Sequence, residues 1–161
     1  MPLAQFARGA LPGQIVAMTT RSSMAALPAM LTSAEQTLGL PLTVTSFALP
    51  LATSVFRLNS AVSWVVVALF SAKLYGVVLS ASQVAALAVS SVLMSFSVPG
   101  IPSASLFVIA PFLTSVGIPA EAIGVLIAID LLPDVFKTLA NATGQLAAVV
   151  LLSRLEPTVT V

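Results

Sequence analysis

The apolar positions of this chain fall into runs of intermediate length, separated by short polar clusters and by Pro and Gly. Residues 3 to 20 form a first apolar segment, which ends at Thr19-Thr20-Arg21-Ser22-Ser23. A second runs from Met24 to about Leu38 and stops at Gly39-Leu40-Pro41. A helix needs about 20 mostly apolar residues to cross a bilayer, and neither segment spans comfortably. The pattern predicts a re-entrant hairpin over residues 1–38: a helix, a polar tip at mid-membrane and a returning helix. Such a tip is tolerable only where protein or a water-filled cavity covers it, because lipid cannot satisfy its backbone groups.

Residues 39–76 contain a stretch long enough to span, interrupted at Phe56-Arg57-Leu58-Asn59-Ser60, and predict a transmembrane helix broken at its centre. Residues 77–117 repeat the hairpin pattern, with Val98-Pro99-Gly100-Ile101-Pro102 between two apolar pieces. Two prolines and a glycine in five residues stop a helix. Residues 118–155 predict a last transmembrane helix, followed by a tail at 156–161. The halves correspond. Gly39-Leu40-Pro41 is matched by Gly117-Ile118-Pro119, and Val55-Phe56-Arg57 with Asn59 by Val135-Phe136-Lys137 with Asn141. The expected fold class is therefore an all-α membrane protein: two re-entrant hairpins, each followed by a transmembrane helix, as an inverted repeat. Paired interrupted segments in corresponding positions point to a binding site near the bilayer midplane.

Composition agrees with a lipid environment: 58% of residues are apolar and 7% charged, against about 25% charged in ordinary globular domains. A net charge of +1 with no basic run argues against a nucleic-acid partner. There is no Cys and no His, which removes thiol chemistry, the commonest metal ligand and the commonest general base. No enzyme activity, metal site or cofactor is expected. The N-terminus, with Arg8, Pro12 and Gly13, does not read as a signal peptide.

A charge at the bilayer centre costs roughly 2.5 to 3.5 kcal/mol on insertion scales, so the intramembrane charges are functional candidates. They are Arg21, Arg57, Asp130, Asp134 and Lys137. In the last helix Asp130, Asp134, Lys137, Asn141 and Gln145 follow spacings of four, three, four and four, with Thr138 beside them. All share one face. A plain Asp–Lys pair at i,i+3 would explain two of these residues, not the stripe. Arg21 lies among hydroxyls at the first tip, where Ser22 and Ser23 begin a half-helix whose free N–H groups favour an anion. Lys73 and Tyr75 read as an interfacial anchor; Trp64, Met24 and the Phe residues read as packing.

These residues resemble the dicarboxylate/amino acid:cation symporter family, which includes the glutamate transporters. The resemblance is carried by Thr20-Arg21-Ser22-Ser23 with Leu27-Pro28, by Leu49-Pro50-Leu51, by Val98-Pro99-Gly100, and by Asp130 through Gly144 with its Asp-x-x-Lys-Thr-x-x-Asn run. Order and spacing match the family's first hairpin, seventh helix, second hairpin and eighth helix. The resemblance implies a multi-pass protein of the cell membrane, a homotrimer, with a transport domain that moves like an elevator against a scaffold. This chain is similar to most of the transport domain, and the scaffold helices are expected on a longer parent.

The resemblance also implies roles. Ser22, Ser23, Asn141 and backbone at Val98, Pro99 and Gly100 would hold the substrate's main carboxylate, with Arg21 at the same tip. Asp134 would bind its amine, and Lys137, supported by Thr138, would take a side-chain carboxylate. The implied substrate is aspartate, glutamate or a C4-dicarboxylate. The family's Asn-Met-Asp-Gly-Thr sodium motif is replaced by Phe56-Arg57-Leu58-Asn59-Ser60, and its late eighth-helix aspartate is Gln145. Sodium coupling is therefore expected to be weakened or replaced by protons, with Arg57, Asn59, Ser60, Asp130 and Gln145 in coupling or charge-compensating roles; the coupling ion stays open between H+ and Na+. Arg21, Arg57 and Lys137 against Asp130 and Asp134 leave +1, which suits a substrate of net −1. The competing expectation is a degenerate or truncated transport domain that folds or associates in the membrane and carries nothing.

Overall fold

The computed structural model describes residues 1–57, 59–98 and 102–155. Those residues form seven α-helices and one 3-10 turn, with no strand among them. The helices are α1 (Leu3–Thr20), α2 (Ser23–Gln36), α3 (Leu42–Val55), α4 (Ser60–Tyr75), α5 (Ala81–Met94), α6 (Ala104–Ser115) and α7 (Glu121–Leu152). The 3-10 turn, Ser95–Ser97, extends α5. The segment Leu42–Tyr75, which is α3 and α4 with the break between them, is the one stretch long and apolar enough to cross a membrane among the described residues.

Local chemistry sets the boundaries. The α1 helix ends at Arg21, whose φ of 51° is left-handed, and the Ser22 hydroxyl accepts the Ala25 N–H to cap α2. Ser80 and Gln83 form a reciprocal capping box at the start of α5. Gly39 and Gly117 take φ values of 67° and 89°, which close α2 and α6 in a conformation that a side chain would resist. The proline two residues after each then opens the approach to the next helix.

The buried apolar residues form two clusters. One joins α1, α2, α3 and the C-terminal half of α7, around Ala17, Ala26, Met30, Leu49, Leu146 and Val149. The other joins α4, α5, α6 and the N-terminal half of α7, around Trp64, Leu87, Leu106, Leu113 and Leu126. Small residues let the first hairpin close tightly: a Cβ built on Gly9 would overlap the Leu38 side chain, and one on Gly13 would overlap Met30. The Ser33 hydroxyl uses that approach to donate to the Gly9 carbonyl at 2.6 Å, in a buried position. Much of the outer surface is apolar, with Leu3, Phe47, Val62, Val78 and Leu132 each more than half exposed. Met24, expected to pack, is also exposed among the described residues. Trp64 packs in the core as expected.

Candidate functional site

The α7 helix runs through both clusters, and its polar stripe lies at their junction. Asp130, Asp134, Thr138, Asn141 and Gln145 are all buried. The helical period dictates this: a one-sided stripe on a helix packed on two sides must face other polar groups. Those groups come from chain breaks. Arg21 and Ser23 come from the α1–α2 tip, Arg57, Asn59 and Ser60 from the α3–α4 break, and Val98 and Ser105 from either side of the α5–α6 tip. Together with Asp134, Lys137, Thr138 and Asn141 they line one cleft.

Charges organise the cleft. The Lys137 ammonium donates to both Asp130 oxygens, at 2.7 and 2.8 Å, and lies 3.7 Å from Asp134. The spacing of three in sequence is therefore the looser contact. The pair seven apart wins because helical side chains lean toward the N-terminus, which carries a lysine stem from residue 137 two turns up to Asp130. Arg21 stands 4.0 Å from the other Asp134 oxygen. The Ser103 backbone N–H also lies against the Asp134 carboxylate. Thr138 donates to the Asp134 carbonyl at 2.7 Å, within its own helix.

The helix break is tied to α7 by amides. Gln145 donates to the Phe56 carbonyl at 3.0 Å, and Asn59 donates from its side chain to the Lys137 carbonyl. The Asn59 backbone N–H reaches the Asn141 side-chain oxygen at 3.4 Å. Arg57 points inward, donating to the Ser23 hydroxyl and, at 3.0 Å, to the Thr53 carbonyl. Broken helices leave orphan N–H and C=O groups, and these side chains satisfy several of them.

The structure thus gathers Arg21, Ser23, Arg57, Asn59, Ser60, Val98, Asp134, Lys137, Thr138 and Asn141 into one cleft. Asp130 borders it through Lys137, and Gln145 lies beneath it against the break. Ser22 caps α2 rather than lining the cleft. Pro99 and Gly100 lie outside the described residues. Ser105 was not singled out in the sequence; its signal is a hydroxyl in the first turn of α6, ahead of the apolar run from Leu106 to Leu113. Among the described residues, the two non-glycine positions of positive φ are Arg21 and Ser103, one at each tip. Left-handed backbone outside glycine concentrates at functional sites.

Comparison with known proteins places the sequence in a family. The model of the sodium:dicarboxylate symporter family matches residues 1–155. The chain belongs to that family. It is similar to human excitatory amino acid transporter 2, with 36% identity over 140 residues, 87% of this chain and 24% of that protein. A Caenorhabditis elegans excitatory amino acid transporter is 34% identical over 87% of the chain and 28% of its own length. Mouse excitatory amino acid transporter 3 is 32% identical over 88% of the chain and 27% of its own length. The chain thus spans about a quarter of the length of these relatives, which are named as transporters and not as enzymes.

Proposed function

We propose that this chain is the substrate-carrying part of a secondary active transporter for acidic amino acids or dicarboxylates. The observation that carries this reading is the cleft itself, at which three cations and two carboxylates converge from the first tip, the helix break and α7. Charges this deep in an apolar protein are tolerated where a charged ligand and a polar cavity need them. The net +1 of those five side chains fits a ligand of net −1. The relatives are named excitatory amino acid transporters, which favours amino acids within that class.

In this reading α1–α2 and α5–α6 are re-entrant hairpins whose tips meet at the bilayer midplane. Residues 1–38 and 39–76 correspond to residues 77–117 and 118–155 as inverted repeats. Each apolar cluster combines one hairpin with half of α3–α4 and half of α7, an exchange between the two repeats that is consistent with this correspondence. The apolar outer surface faces lipid and, on a longer homotrimeric parent in the cell membrane, a scaffold against which this part slides. Ser23, Asn141 and the second tip, with Arg21 near it, hold the main carboxylate, while Ser22 caps the start of α2 behind Ser23. Asp134 takes the amine, and Lys137 with Thr138 the second carboxylate. Coupling to sodium is weakened or replaced by protons. Gln145 supports this, because its neutral amide is committed to the Phe56 carbonyl where the family pattern has an acid. Arg57 supports it too, since a fixed guanidinium occupies the break where a cation would sit. Asn59, Ser60 and Asp130 complete that region.

Calorimetry on the purified polypeptide that contains this chain tests the reading. Aspartate, succinate and alanine are titrated with and without sodium. Binding of aspartate and succinate, weak binding of alanine and less than tenfold sodium dependence are expected. A preference for neutral amino acids refutes the substrate assignment, and absolute sodium dependence refutes the coupling assignment. Absence of binding to any of them favours the degenerate, non-transporting alternative.

A further inference from the structure

We propose that Arg57 takes a ligand carboxylate directly, exchanging its bond to the Ser23 hydroxyl for one to the ligand. This deepens the proposed function and rests on it. The inference comes from how the five charges are paired. Lys137 is engaged by both oxygens of Asp130, at 2.7 and 2.8 Å. Arg21 and Asp134 face each other at 4.0 Å. Arg57 pairs with no carboxylate among the described residues; its partners are a serine hydroxyl and the carbonyl of Thr53. The net +1 of the cleft is therefore located on one residue.

That residue is more than nine-tenths buried, lines the cleft, and leaves its Nε–H without a partner among the described residues. A buried guanidinium without a counter-charge is costly, and a neutral hydroxyl offsets little of that cost. A carboxylate accepts from a guanidinium through two parallel bonds, which a hydroxyl cannot do. Ser23 sits at the first residue of α2, so its departure from Arg57 leaves the α2 N–H groups facing the same anion. Lys137 is held back by comparison, because a ligand must draw it away from Asp130 first.

The polypeptide containing this chain, in detergent, is titrated with L-aspartate and succinate, and its melting is followed with and without each. The expected loss of affinity for both ligands in Arg57→Gln is about 30-fold or more, larger than the loss in Lys137→Gln. Ligand-free Arg57→Gln is expected to melt at or above the parent temperature, because the substitution removes an uncompensated buried charge. Arg57→Lys keeps the charge without the fork and is expected to bind about tenfold more weakly with unchanged melting. Binding by Arg57→Gln within threefold of the parent overturns the assignment and leaves the proposed function standing. A lowered ligand-free melting temperature in both Arg57 variants, with the ligand-induced shift intact in Arg57→Lys at full parent affinity, also overturns it, because Arg57 is then a structural clamp. If the unmodified protein binds neither ligand, the proposed function falls and this inference falls with it.

Discussion

Asp130→Asn isolates the tightest interaction in the cleft. The carboxylate is buried and accepts two bonds from Lys137 at 2.7 and 2.8 Å. At an effective dielectric constant of about 20, two unit charges at that separation attract by roughly 6 kcal/mol. Desolvation of both ions offsets most of this. The substitution also leaves Lys137 a fallback, since Asp134 stands 3.7 Å away and the lysine side chain keeps some exposure. A net loss of about 2 kcal/mol is expected, within the range for hydrogen bonds to charged groups. Lys137→Met should cost a similar amount, because it strands Asp130 without its counter-charge. The double variant should cost less than the sum of the singles, with a coupling of about 1.5 kcal/mol, in the range for residues in contact. The assay is reversible unfolding in mixed micelles of the parent, both singles and the double. Strictly additive losses would show that Lys137 and Asp130 are not paired, and the account of which cations the cleft keeps engaged would fail with them.

Three further outcomes follow from local geometry. Gly9→Ala should destabilise by about 1–3 kcal/mol because its Cβ overlaps Leu38, whose nearest atoms include the branch carbon. Gly124→Ala, with open space around it in α7, should instead stabilise by about 0.5–1 kcal/mol; the same unfolding assay reads both, and equal signs would refute the packing of the first hairpin. Ser80→Ala removes the capping box of α5 and should cost about 1 kcal/mol, seen also as faster hydrogen exchange at Gln83 and Val84. Gln145→Asp returns an acid to the helix break; titrated with aspartate, it should bind with steeper sodium dependence than the parent, and an unchanged sodium response would remove the argument that Gln145 weakens coupling.

Much of the fold was legible because bilayer-length arithmetic and helix breakers leave few options. The segment expected at 3 to 20 is α1, Leu3–Thr20, and the interruption at Phe56 to Ser60 separates α3 from α4. The α7 stripe was legible for a related reason: five polar residues on one face of an apolar helix have one place to go. What the sequence did not reveal is how the charges pair. Spacing favours Asp134 for Lys137, yet stem length and side-chain direction deliver it to Asp130. The links from Gln145 to Phe56 and from Asn59 to Lys137 cross 89 and 78 residues and depend on packing that no local pattern encodes. Arg57 reads in the sequence as a stand-in for a missing cation; its burial against Ser23, away from every described carboxylate, emerges only in three dimensions.

The central claim is that this cleft carries a small acidic substrate. Uptake of labelled L-aspartate into proteoliposomes by the polypeptide that contains this chain, compared with its Asp134→Ser variant, tests it most directly. The account requires concentrative uptake by the parent, competed by succinate. In the variant, aspartate uptake should fall by tenfold or more while succinate uptake persists. Uptake of aspartate by Asp134→Ser at the parent rate would contradict the account, and so would a parent that transports neither acid.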